Sequence, residues 1–201
     1  MKKSRALAIT GALGLSTITW GALQTRDFRV VDYSLELLEP GTLQGRESFN
    51  ILHVADLHMI PGQRKKVEFV QALAELEPDL VVNTGDNLSD MDGVPWVLDA
   101  LGPLLDVPGV FVFGTNDYWA PQPVNPTKYL LDQKREPSYV DLPWEGMRAA
   151  FIERGWQDAT HQRLEFKASG LRLAVAGVDD PHHELDAVSY THLRAHETDS
   201  Y

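Results

Sequence analysis

Three short apolar runs in this chain each end in side chains that can grip a cation. Ile51 to Ala55 runs into Asp56-Leu57-His58, Leu80 to Asn83 into Thr84-Gly85-Asp86-Asn87, and Val110 to Phe113 into Gly114-Thr115-Asn116-Asp117. Asp56 to Asp86 and Asp86 to Asn116 are each 30 residues apart, about the length of one strand-helix-strand unit. Carboxylate and amide oxygens together with imidazole suit hard or borderline divalent ions such as Mn, Fe, Zn or Mg. Asp86 lies in the middle loop and has two oxygens, so it can bridge two ions. Such a pair can activate water and neutralise a phosphoryl group under in-line attack. Asp and Asn after strands are also ordinary turn formers, so no single position carries this reading. The coincidence of three strand ends, one with a His two residues after an Asp, favours a metal site.

Strands and helices must alternate to bring those ends together. Beyond the three apolar runs, the pattern predicts helices over Arg64 to Leu76, Pro95 to Leu105 and Trp144 to Arg154, and strands over Arg163 to Phe166 and Leu171 to Ala176. Alternation of this kind implies an α/β fold with a largely parallel sheet. The runs are apolar at successive positions, as strands covered on both faces are. Ligands of such sheets gather at the carboxyl edge of the strands. Gly85 and Gly114 allow tight turns just before the polar residues. Residues 120 to 143 carry five prolines and read as a long surface excursion. Residues 25 to 48, with Pro40, Gly41 and Gly45, read as a linker holding one strand at Phe28 to Leu35.

The set of motifs resembles the calcineurin-like metallophosphoesterases, whose pattern is D-x-H, then G-D-x-x, then G-N-H-[DE], then a later G-H-x-H. Asp56 and His58 match the first motif, and Gly85 and Asp86 the second. The stretches Leu52 to His58 and Pro78 to Asp86 look like the membrane-anchored bacterial branch of that family. The resemblance implies a sandwich of β-sheets flanked by helices and a two-metal centre. It also implies roles: Asp56 and His58 on one ion, Asp86 bridging, and Asn116 on the second ion and facing the phosphate. Asp117 stands where many members carry a histidine that protonates the leaving group, so Asn116 and Asp117 are the candidate catalytic residues. A carboxylate of ordinary pKa is mostly ionised near neutral pH and is a poor acid. Unless its pKa is raised, substrates with good leaving groups, such as pyrophosphate linkages, are expected over alkyl monoesters.

No G-H-x-H follows. The tail from Val188 to Thr198 instead resembles a translated transposon-type sequencing adaptor, and residues 188 to 201 are set aside on that ground. The tempting pair His192 and His196 goes with them. The genuine sequence is expected to stop near Asp186 or Ala187, leaving residues 49 to 187 as a C-terminally truncated domain lacking some metal ligands. The polypeptide as written is then expected to be unstable or inactive. His182, His183 and Glu184 read as a polar loop in preference to further ligands.

Composition narrows the partners. A chain of 201 residues with 43% hydrophobic content can bury one sizeable core. Its formal net charge of -11 argues against nucleic acid, which needs a basic surface. A phosphorylated small-molecule or lipid-linked substrate would have to meet its positive charge in bound metal. There is no cysteine, so a metal site must use oxygen and imidazole. Lys2, Lys3 and Arg5 precede an apolar run from Ala6 to Leu23, which makes residues 1 to 24 a membrane anchor or a signal segment. The bulky Trp20 near any cleavage point favours the anchor, with the catalytic domain outside the membrane; a secreted protein is the alternative. Trp96, Trp119, Trp144 and Trp156 read as packing residues. Neither a phosphate-binding P-loop nor a G-x-S-x-G elbow occurs. The rival to a hydrolase is a non-catalytic, membrane-anchored binding protein that kept the fold with a degenerate site.

Overall fold

The architecture comes from a computed structural model that describes residues 16, 19–21, 27–121, 140–181 and 185. Four strands, Ile51–Val54 (β1), Leu80–Asn83 (β2), Gly109–Phe111 (β3) and Gln157–Asp158 (β4), pair in parallel in the order β1-β2-β3-β4. Their register sets Val54 beside Asn83 and Asn83 beside Phe111, so the three polar loops leave one edge together. Arg163–Ala168 (β5) and Leu171–Ala176 (β6) form an antiparallel hairpin that is a second sheet.

Helices return the chain between the parallel strands. Arg64–Ala72 (α1) runs into a 3-10 turn over Leu73–Leu76, and Val94–Leu101 (α2) is followed by a 3-10 turn over Leu104–Asp106. Gly102-Pro103 ends α2, because proline cannot donate the amide that would continue it. Val97, Ala100 and Leu101 of α2 are buried, the spacing of one helical face. Thr115–Tyr118 (α3) is a single turn, and Trp144–Glu153 (α4) buries Met147 and Phe151. The Phe111 ring meets Phe151 edge to face at 5.2 Å, and the Trp156 indole donates to Val107 O at 3.1 Å.

The predicted strands and helices therefore form, with three corrections. No strand occurs among residues 27–38, where Val30, Val31, Tyr33 and Leu35 are exposed and no pairing partner is found among the described residues. β1 is an edge strand with Ile51 and His53 exposed and Leu52 half-buried, so its apolar character does not mean cover on both faces. β4, only two residues long, and the one-turn α3 carry too little periodicity to be read in advance.

The chain divides into two units, residues 1–38 and 39–201. Residues 39–48, expected as linker, fall in the second unit, where the Arg46 guanidinium contacts both Asp79 oxygens at 2.6 and 2.8 Å. Among the described residues no helix is long and apolar enough to cross a membrane. Most of the Ala6 to Leu23 run, the proline-rich stretch 122–139, His182 to Glu184 and the tail 186–201 lie outside the described residues.

Candidate metal centre

The three loops are laced to each other by backbone. Beyond the paired strands, Asp56 N donates to Gly85 O at 3.0 Å, His58 N to Asp86 O at 2.9 Å and Met59 N to Asn87 O at 2.7 Å. This ladder holds Asp56, His58 and Asp86 in left-handed conformations, with φ of 54°, 43° and 55°. Such φ values cost a residue with a Cβ on the order of 1 kcal/mol or more. Strain at three candidate ligands, compensated by interloop hydrogen bonds, is a pattern found at functional sites. Lys66 adds to the first loop by donating to Leu57 O at 2.7 Å, and burial lowers its pKa.

The side chains converge. One ligand atom each from Asp56, His58 and Asp86 lies within 4.8 Å of the others. His58 Nε2 is 3.9 Å from Asp56 Oδ1 and 3.9 Å from Asp86 Oδ2. Donors bound to one ion at about 2.1 Å cannot stand more than roughly 4.2 Å apart, so the two separations from His58 Nε2 fit a shared cation. The other ring nitrogen, His58 Nδ1, lies 3.1 Å from Ser89 Oγ, a hydrogen bond that turns Nε2 toward the carboxylates. Ser89 carries no mark in the sequence, since a serine a few residues beyond a turn has no distinguishing spacing.

Asn116 joins through Asp86. Its backbone amide donates to Asp86 Oδ1 at 2.8 Å and its side-chain nitrogen to Oδ2 at 3.0 Å. With Nδ2 engaged, the atom that Asn116 can offer a cation is Oδ1. Gly114 makes this contact feasible by its lack of a side chain, because a Cβ there would lie 2.4 Å from Asp86 Oδ1.

Asp117 is placed differently. It is fully buried, and its carboxylate accepts the backbone amides of Asp86 at 2.8 Å, Asn87 at 2.8 Å and Gly114 at 3.0 Å. Burial pushes this carboxyl up to about 6, while the Gly114 and Asn87 amides pull the other way. Its oxygens are thus occupied by the second and third loops. Asn83 and Asn87 support the same region with reciprocal side-chain hydrogen bonds at 2.8 and 3.1 Å.

The donor set is therefore two carboxylates, an imidazole and an amide on one sheet edge, with Asp56 exposed and Asp86 partly buried. Among the described residues the ion pairs of the Asp56 and Asp86 carboxylates run to His58 alone, so the chemistry of the set fits a divalent cation.

Residues 49–169 match the family model described as calcineurin-like phosphoesterase. No curated protein and no solved structure matches the chain.

Proposed function

This chain belongs to the calcineurin-like phosphoesterases, and we propose that it is a hydrolase of phosphoester or pyrophosphate bonds working with two divalent ions. The observation that carries this reading is the meeting of Asp56, His58 and Asp86 at one sheet edge, with Asn116 hydrogen-bonded to Asp86. Asp56 and His58 would hold one ion, Asp86 would bridge, and Asn116 would serve the second ion and the phosphate. When bound, the ions supply an activated water and neutralise charge on the phosphoryl oxygens. Mn, Fe, Zn and Mg all suit this donor set.

The protein's own groups orient and hold. Ser89 fixes the imidazole of His58, and Asp117 clamps the second loop to the third. We assign Asp117 this positioning role in place of protonating a leaving group, because its carboxylate is taken up by three backbone amides. Substrates whose leaving groups need no proton then remain favoured, whether a small phosphorylated molecule or a lipid-linked pyrophosphate. The apolar run from Ala6 to Leu23 after Lys2, Lys3 and Arg5 supports a membrane-tethered enzyme with its catalytic unit outside. Four side-chain donors are assigned among the described residues, and for a set of that size dissociation constants on the order of 0.1 to 1 mM are expected.

Titration of the full chain with Mn2+, followed by loss of the free-ion paramagnetic signal, tests the reading. Two ions per chain are expected, with Asp86→Asn removing both and His58→Ala weakening one. Unchanged binding in Asp86→Asn rules the centre out and leaves the non-catalytic binding protein as the better account.

A further inference from the structure

Asp179 and Asp180 follow β6 and reach both ends of α3. Thr115 Oγ1 donates to Asp180 Oδ2, and the Tyr118 hydroxyl donates to Asp179 Oδ1 at 2.8 Å. The same Asp179 oxygen accepts Asp180 N at 2.8 Å, which fixes the two carboxylates relative to each other. Asp180 is buried, and His161 Nε2 stands 3.8 Å from Asp179 Oδ2.

Between the two gripped residues lies Asn116. A single helical turn has no stability of its own, since nucleation costs more than one turn returns. Its placement must come from outside contacts. Asp117 supplies them on the side of the second loop, and Asp179 with Asp180 supplies them from the hairpin. Gly177 allows the hairpin to come this close, because a Cβ there would lie 2.5 Å from Ala159 O and 2.8 Å from Val112 Cγ1. The Tyr118 ring is further set by edge-to-face packing on Trp144 at 5.1 Å.

We propose that Asp179 and Asp180 are positioning residues for Asn116, acting through Thr115 and Tyr118 to hold its amide against Asp86 at the second-ion side of the centre. The inference rests on the two-ion reading above. It also gives the second sheet a purpose, since the β5-β6 hairpin delivers the clamp that completes the edge made by β1, β2 and β3. A misplacement of about 1 Å at such a group can cost on the order of 100-fold, so the clamp acts on the ion that Asn116 serves and leaves the Asp56-His58 side intact.

The test uses the full chain and its variants Thr115→Val, Thr115→Ser, Asp180→Asn and Asp179→Asn, with thermal melts recorded without metal. In the Mn2+ titration, Thr115→Val and Asp180→Asn should weaken the second binding step about tenfold and move the first by less than twofold, while Thr115→Ser restores the wild-type second step. A second readout needs no metal: the Asn116 side-chain NH2 signals, identified by their loss in Asn116→Asp, should exchange with solvent at least fivefold faster in the weakened variants. If Thr115→Val does not fold, Asp179→Asn carries the same comparison. An unchanged second step and unchanged Asn116 exchange in folded variants overturn the proposal. Should wild type bind no second ion, the two-ion reading falls, and the exchange measurement alone decides for or against the clamp.

Discussion

The carboxylate of Asp117 lies 2.8 Å from the backbone amide of Asp86, joining the residue at the motif position where many family members carry a histidine to the loop that presents the candidate bridging ligand. Its other contacts, from Asn87 and Gly114, make it the knot between the second and third loops. Replacing it with Ala leaves three amides without an acceptor, one buried and two part-buried, at about 1 to 3 kcal/mol each. Asp117→Ala should therefore lose at least about 3 kcal/mol in urea denaturation, and Asp117→Asn, which keeps one acceptor oxygen, clearly less. A wild-type unfolding curve for Asp117→Ala contradicts the knot.

Gly114→Ala probes the same junction from the other side. The added Cβ meets Asp86 Oδ1 at 2.4 Å, so the carboxylate or the loop must shift. Backbone φ at Gly114 is -111°, open to alanine, and the effect is therefore one of contact and not of strain. Mn2+ binding should weaken about tenfold or more while the melt changes by less than it does in Asp117→Ala. Equal binding in Gly114→Ala and wild type shows that Asp86 is not held as described.

Much of this arrangement was legible in the sequence, and the reasons are local. Asp56, His58, Asp86 and Asn116 could be found because parallel strands of similar length deliver equally spaced residues to one edge. The positions of Ser89, Asp179 and Asp180 could not. Each acts through a tertiary contact 31 to 65 residues away in sequence, and nothing in the intervening pattern marks that pairing. Asp117 shows the converse: its place in the motif made it a catalytic candidate, while its burial and three amide contacts could not be read from that place. The two-residue β4 and one-turn α3 exist because neighbours hold them, which is why periodicity did not announce them.

Ion binding should register as stability. With a dissociation constant on the order of 0.5 mM, 10 mM Mn2+ contributes about 2 kcal/mol by mass action for each ion bound. The wild-type midpoint should rise accordingly, fall back when a chelator is added, and stay fixed in Asp86→Asn. A similar rise in Asp86→Asn places the ion elsewhere on this acidic chain.

Asp79 links three segments, accepting from Arg46, the Asn50 amide and Ser169 Oγ. Burial alone would push its carboxyl up, but the hydrogen bonds from Ser169 and Asn50 and the Arg46 guanidinium outweigh it and hold the pKa below the ordinary range. A carboxyl depressed on folding contributes stability above the unfolded pKa of about 4, and that contribution is lost as pH falls through the folded value. Asp79→Asn should be about 1 to 3 kcal/mol less stable near pH 7, with the gap closing below about pH 4. A gap that stays constant from neutral to strongly acidic pH means that packing, and not the charge, is what Asp79 contributes.

Leaving-group acidity should govern the rate. With Asp117 engaged by backbone amides, no acid is assigned at that position, and general acid catalysis normally contributes about 100-fold or more. Hydrolysis by the full chain in millimolar Mn2+ should then depend steeply on the pKa of the departing group. Aryl phosphodiesters and pyrophosphates should react at least about 100-fold faster than alkyl phosphates, and Asp117→Asn should leave that ratio unchanged even where it lowers every rate. Alkyl phosphates cleaved as fast as pyrophosphates require a proton donor at the site. If Asp117→Asn selectively removed that alkyl activity, the donor would be Asp117 itself, with the carboxyl that burial raises to about 6 released from its amides during turnover.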